Sequence, residues 1–340
     1  MKRPLVSILM PVFNGEAYVA QAIQAVLAQD YKNFTLFILD DGSTDNTKII
    51  IKNFLEDRRV LVVSEYSNKG IIYTRNKGLN MVKTDYFAFV DADDVVEPGW
   101  LSEQVLYLDE NSEVAAVGCW LQSVDANLNL IENGVWYSQE SSAKNACYLL
   151  RGSPLSMSAT LFRREMIKGI YFSDKYPAAE DYGYWADLIM VRNCRLANVQ
   201  KILIKYRRHS MQTSTEKKIL QAQSHLNVFK EVFVKMDLSF SQDDIVRHAV
   251  LVEFFDENLL FDNLKEVIDF SFLIWALSWI LNIFRNYQLE IISKSDLFNF
   301  FIKYWRRVCR KSIKNIGLYK AVPMFLWGYF CMLFARYKNS

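Results

Sequence analysis

Four short apolar runs alternate with helical stretches over the first 98 residues, and that alternation restricts the possible folds more than any other feature of the chain. Residues 4–13 (PLVSILMPVF), 34–43 (FTLFILDDGS), 60–64 (VLVVS) and 86–90 (YFAFV) read as strands. Between them, 16–29, 44–56 and 71–82 carry apolar residues at helical spacing. Strands this short and uninterrupted are buried on both faces, which calls for a parallel sheet covered by helices. In such sheets ligands bind beyond the carboxyl ends of the strands. The polar clusters Asn14-Gly15, Asp40-Asp41-Gly42-Ser43 and Asp91-Ala92-Asp93-Asp94 all stand at those ends.

Farther along, 114–136 reads as strands around a polar turn, 152–182 as loop and 183–193 as helix. From about 217 the texture changes to long aromatic and aliphatic helices with little Gly or Pro, which puts a boundary near 215. The expected organisation is a domain over 1–215, with halves 1–98 and 99–215, and a helical region over 216–340. With 51% hydrophobic residues and 340 positions the chain can bury a sizeable core. A net charge of +2 gives no general attraction to nucleic acid. The five cysteines are scattered without CxxC spacing, which argues against a disulfide framework or zinc site and fits a reducing cytoplasm. Pro4 and Pro11 interrupt the N-terminal apolar run, so it is read as a strand and not a signal peptide.

The acidic clusters bear the chemistry. If the fourth strand continues, alternation puts Asp91 and Asp93 on one side, where they suit a hard cation such as Mg²⁺ or Mn²⁺. Such a cation would neutralise a diphosphate leaving group. The alternative is an acidic turn capping the helix that begins near Pro98, with Asp94 as the cap. Asp41 ends an apolar strand and can accept a hydrogen bond from a flat N–H donor such as a pyrimidine imide, although the turn also reads as a helix cap through Ser43 or Thr44.

Taken together, SILMPVFNG, FILDDGSTD, NKG with TRNKGLN, FVDADD and AAEDYGYW stand in an order that resembles the family 2 glycosyltransferases of the GT-A fold, over roughly residues 4–212. The resemblance implies an α/β GT-A domain, Rossmann-like with a mostly parallel sheet and helices on both faces, followed by an α-helical region. It implies a nucleotide-sugar site built from Pro11, Phe13, Asn14, Asp41, Arg75, Asp91, Ala92 and Asp93. The metal, Mn²⁺ or Mg²⁺, would be held by Asp93, with Asp91 nearer the ribose or a metal-bound water and His209 approaching the metal or diphosphate. Asp181 matches the catalytic base. Glu180 is a candidate for the acceptor side, as are Tyr182 and Trp185, whose rings suit the apolar face of a sugar, while Trp185 reads equally as a core residue. The implied reaction is inverting transfer from a UDP-sugar (galactose, glucose or N-acetylglucosamine) to a saccharide or lipid-linked saccharide in surface polysaccharide synthesis. A nucleotidyltransferase or a catalytically silent saccharide-binding protein is the alternative. The absence of GxGxxG after the first strand and of a P-loop argues against dinucleotide and NTPase enzymes.

In the C-terminal third, 270–284 and 321–335 are apolar stretches that read as too short to span a bilayer comfortably, a bilayer needing about 20 residues. Residues 298–314 place Phe301, Tyr304, Trp305 and Val308 on one helical face with Lys and Arg over the rest. Positions 301–340 hold nine Lys or Arg and no acid. A basic helix with an aromatic face predicts binding of 298–335 to an anionic membrane surface, and a cytoplasmic enzyme peripheral on the inner leaflet. Packing on the catalytic domain or on a second subunit, as a homo-oligomer, is the other use for such helices.

Overall fold

The computed structural model describes residues 5–209, 212, 217–253, 268–287 and 289–337. Two compact units form: one from 1–145, 154–174 and 194–216, the other from 146–153, 175–193 and 217–340. Segments 146–153 and 175–193, which the sequence division places in the first domain, thus group with the C-terminal helices. The boundary expected near 215 lies outside the described residues.

The first unit alternates β1 (Val6–Val12), α1 (Val19–Leu27), β2 (Phe34–Asp40), α2 (Thr47–Lys52), β3 (Val60–Ser64), α3 (Ile71–Met81) and β4 (Tyr86–Phe89). There follow along the chain β5 (Val95–Val96), α4 (Trp100–Glu110), β6 (Val114–Val124), β7 (Leu130–Trp136), α5 (Ser142–Tyr148, which crosses the division at 145/146), β8 (Thr160–Arg163), α6 (Arg164–Ile167) and β9 (Arg195–Arg207). Among the described residues these strands make one nine-stranded sheet in the order β3-β2-β1-β4-β8-β6-β9-β5, with β7 beside β6. The first four strands are parallel, as expected, and their carboxyl ends share one edge: Val12 pairs with Asp40 and Asp40 with Ser64. All seven residues of β1 are buried, which explains its unbroken apolar run.

Three features of this unit were not legible in the sequence. The long β9 runs parallel to β6, β8 lies antiparallel between β4 and β6 within a stretch read as loop, and the two-residue β5 pairs antiparallel with β9. The pairing of β5 brings the turn after β4 to the end of β9.

The second unit contains α7 (Glu180–Met190), α8 (Lys218–Lys235), α9 (Gln242–Leu251), α10 (Phe270–Asn286), α11 (Lys294–Ile316) and α12 (Leu318–Tyr337). Its starts are written in local chemistry: Ser241 with Asp244, and Ser293 with Asp296, form capping boxes, while Asp269 accepts from the Phe272 N–H. Phe301, Tyr304, Trp305 and Val308 share one face of α11, as the spacing predicts, but all four are buried. That aromatic face is therefore core and not a membrane-binding surface. The stretch expected over 321–335 is also longer than predicted: α12 has 20 residues, and Leu318–Arg336, with mean hydropathy 1.4, is long and apolar enough to cross a membrane.

Candidate functional site

The loops at the carboxyl edge of the sheet are bound to one another. Asn14, at a positive φ of 50°, donates its N–H to Ser43 Oγ at 2.9 Å and accepts from the Thr44 N–H through Oδ1 at 2.9 Å. Pro11 is buried inside β1 and Phe13 is exposed at the edge. Asp41 is buried, and its oxygens accept the Lys69 and Gly70 N–H groups, each at 2.8 Å. It thereby holds the 68–70 turn against its own loop. Gly42 makes this approach possible: its φ is +76°, and a Cβ there would stand 2.5 Å from the Ser67 backbone.

The turn after β4 departs from the sequence expectation. The strand ends at Phe89, and 91–94 form a turn in which the Asp94 N–H bonds to the Asp91 carbonyl at 3.2 Å. Strand alternation therefore does not apply to Asp91 and Asp93, and each has its own partner. Asp91 Oδ1 is 3.2 Å from Nη2 of the buried Arg75, whose guanidinium lies beside the Phe89 and Phe172 rings. The Asp91 N–H donates to Ser158 Oγ at 3.1 Å. Asp93 Oδ2 is 2.9 Å from His209 Nε2. Ala92, between them, is half-buried against the core. The side chains of Arg75, Asp91, Asp93 and His209 thus gather along one turn.

Asp94 does not cap the following helix. Gly99 occupies that position without a side-chain bond, while Asp94 is fully buried and accepts the Arg207 N–H at 3.1 Å. Burial, and then the charges of Asp93 and Asp91, push its carboxyl well above the usual carboxylate range.

The β5–β9 register explains how His209 arrives. Val95 opposes Lys205, so the turn just before β5 lies beside the end of β9, and His209 follows just past that strand. Arg207 fixes this meeting and was not singled out from the sequence. Its buried guanidinium donates to the Asp93 carbonyl at 2.7 Å, the Ala126 carbonyl at 2.6 Å and Gln21 Oε1 at 2.7 Å. It also lies over the Tyr18 ring, which in turn packs 4.8 Å from the His209 ring. The only available signal was the pair of arginines in Tyr206-Arg207-Arg208-His209.

The residues fit a divalent cation only if a phosphate ligand accompanies it. Among the described residues no group of three or more His, Cys, Asp or Glu could hold a metal. However, His209 Nδ1 is buried without a hydrogen-bond partner, and the imidazole meets a carboxylate that is 30% exposed. One carboxylate and one imidazole suit a cation that takes its remaining ligands from a diphosphate and water.

In the second unit, Asp181 stands in the first turn of α7. Its Oδ1 accepts the Tyr182 N–H at 2.7 Å, and its Oδ2 accepts the Ser153 hydroxyl at 3.2 Å. Glu180 is half-buried beside it. Tyr182 and Trp185 are fully buried, and Tyr182 donates its hydroxyl to the Leu149 carbonyl with its ring among His225 and Phe229. Neither ring offers a face to a sugar, which corrects their expected place on the acceptor side.

Residues 7–170 match the model of glycosyl transferase family 2. An uncharacterized glycosyltransferase of Haemophilus influenzae is 32% identical over 223 residues, covering 62% of this chain and 68% of that protein. The chain belongs to glycosyl transferase family 2. Another relative of this transferase is the Escherichia coli UDP-Glc:alpha-D-GlcNAc-diphosphoundecaprenol beta-1,3-glucosyltransferase WfgD, 28% identical over 63% of the chain and 81% of WfgD. Among solved structures, Staphylococcus aureus TarS 1–349 in complex with UDP-GlcNAc has a TM-score of 0.57 at 17% identity, covering 96% of this chain and 90% of that one. The transferase has the GT-A fold, and the resemblance read from its motifs extends to the sheet.

Proposed function

We propose that this glycosyltransferase moves a hexose from a UDP-sugar to a hydroxyl of a saccharide acceptor, with inversion and with Mn²⁺ or Mg²⁺. The observation that carries the proposal is the gathering of Asp93 and His209 beside the Asp91–Arg75 pair at the strand edge. Two oppositely charged features in one place suit a metal diphosphate, since the carboxylate faces a cation and the guanidinium faces phosphate oxygens. Asp93 and His209 would hold the cation, which when bound neutralises charge on the departing diphosphate. Asp41 would use a remaining lone pair for the uracil imide, with Pro11, Phe13, Asn14 and Ala92 lining the donor.

Asp181 would take the proton of the acceptor hydroxyl as its oxygen bonds to the anomeric carbon and the bond to the diphosphate oxygen breaks. One base suits a single displacement; a double displacement would need a second carboxylate at about 5 Å. The UDP and undecaprenyl-diphosphate chemistry in the name of WfgD favours a lipid-linked acceptor in polysaccharide synthesis, and therefore an enzyme working at the inner leaflet.

The test is UDP release over a panel of UDP-sugars with and without Mn²⁺, beside Asp93→Ala and Asp181→Ala. Full turnover in Asp181→Ala removes the base assignment. Metal-independent turnover removes the role of Asp93.

A further inference from the structure

Helix α12 is apolar on two opposite sides. On one side Ala321, Met324, Gly328 and Met332 recur every three or four residues and are buried. A Cβ on Gly328 would run into the Trp305 ring, so this side is occupied by α11. On the other side Tyr319, Val322, Leu326, Trp327, Phe330 and Phe334 are exposed, the last two by 62% and 65%. A helix packed on a globular core ordinarily turns polar residues outward. Here only 22% of Leu318–Arg336 is buried despite its mean hydropathy of 1.4. An aromatic stripe of this extent marks an interaction surface.

Charge decides what covers it. Residues 294–337 hold nine Lys or Arg and one acid, Asp296, which is used in the capping box of α11. Arg307 and Lys311 reach Glu253, at 2.6 and 3.2 Å. Arg306, Arg310 and Lys314 are exposed along α11, and Lys320 is exposed at the start of the stripe. A second copy of this helix pair would bring like charges together, whereas an anionic bilayer complements both the cations and the apolar stripe.

We infer that α12 lies in the plane of an anionic membrane, with its exposed stripe in the acyl boundary and Lys320 and the α11 cations at the headgroups. It does not span, because α11 occupies its opposite side. The aromatic face of α11 expected at the membrane is core, and the binding surface belongs to the next helix. The inference rests on the proposed inner-leaflet acceptor only for why the enzyme would be there.

The experiment floats the full chain with vesicles of phosphatidylcholine, with or without phosphatidylglycerol, in the absence of substrates. Wild type binds the anionic vesicles and is released by salt. Trp327→Asp with Phe330→Asp lowers partitioning at least about tenfold, with unchanged Tm and unchanged UDP release on a soluble acceptor. Arg306→Glu with Arg310→Glu lowers it on anionic vesicles only. Wild type left unbound at low salt overturns the inference. So does a wild-type dimer that binds no vesicles and dissociates in the Trp327/Phe330 variant, which assigns the face to a second copy. Vesicle binding without UDP release from any donor upholds the inference and rejects the proposed donor reading.

Discussion

His209 and His248 show how differently the two units treat the same side chain. In the first unit, His209 has one nitrogen against the Asp93 carboxylate and the other buried without a partner. In the second, His248 is fully buried with both nitrogens used: Nε2 donates to the Leu150 carbonyl at 2.7 Å, and Nδ1 accepts from Trp279 Nε1 at 3.0 Å. Trp279 can only donate, so the neutral tautomer of His248 is fixed. The first arrangement leaves coordinating capacity over, while the second exhausts it. A polar group completely satisfied in a core builds architecture, and one left incompletely satisfied at a strand edge is available for chemistry.

The contrast can be broken most strongly at Asp93. Asp93→Ala should lower kcat about 10³-fold with little change in Tm, since this half-exposed carboxylate holds no core contact. A stability loss in place of a rate loss would put Asp93 with the architectural groups. Asp181→Asn should follow, with about a 10²- to 10³-fold fall in kcat at unchanged donor affinity, as measured by UDP-sugar titration. His209→Ala should weaken Mn²⁺ binding in the presence of UDP about tenfold to a hundredfold. A pure packing role would lower Tm and leave metal affinity alone.

Smaller effects come from the scaffold. Gly42→Ala meets both a left-handed φ and the Ser67 backbone, and should cost about 2 kcal/mol or more in denaturant unfolding. A further effect is one of pH. Burial pushes His248 and His225 down to about 4. Their contribution to stability is complete above the unfolded value of about 6.5 and is lost as pH falls from there through about 4. Unfolding free energy should decline by about 1.4 kcal/mol per pH unit for each imidazole in that window. A flat profile between pH 6.5 and 4.5 would mean that these histidines are not sealed off from water as His248 is here.

Periodicity and turn residues determined a good deal of this molecule. The parallel strands β1 to β4, the helices between them and the edge on which the polar loops gather were all legible, because buried parallel strands are written as unbroken apolar runs. The apolar stretch over 270–284 and the apolar spacing over 298–314 likewise announced α10 and α11. The tertiary structure decided who meets whom. Asp93 and His209 lie far apart in the chain and come together through β5, two residues long and too short to leave a periodic signal. Asp94 looked like a helix cap, and Tyr182 and Trp185 like sugar platforms, because sequence gives residue type but not burial. The aromatic face of α11 and the stripe of α12 read alike along the chain. Which one is core was settled by packing, since a helix can turn only one side toward its neighbour.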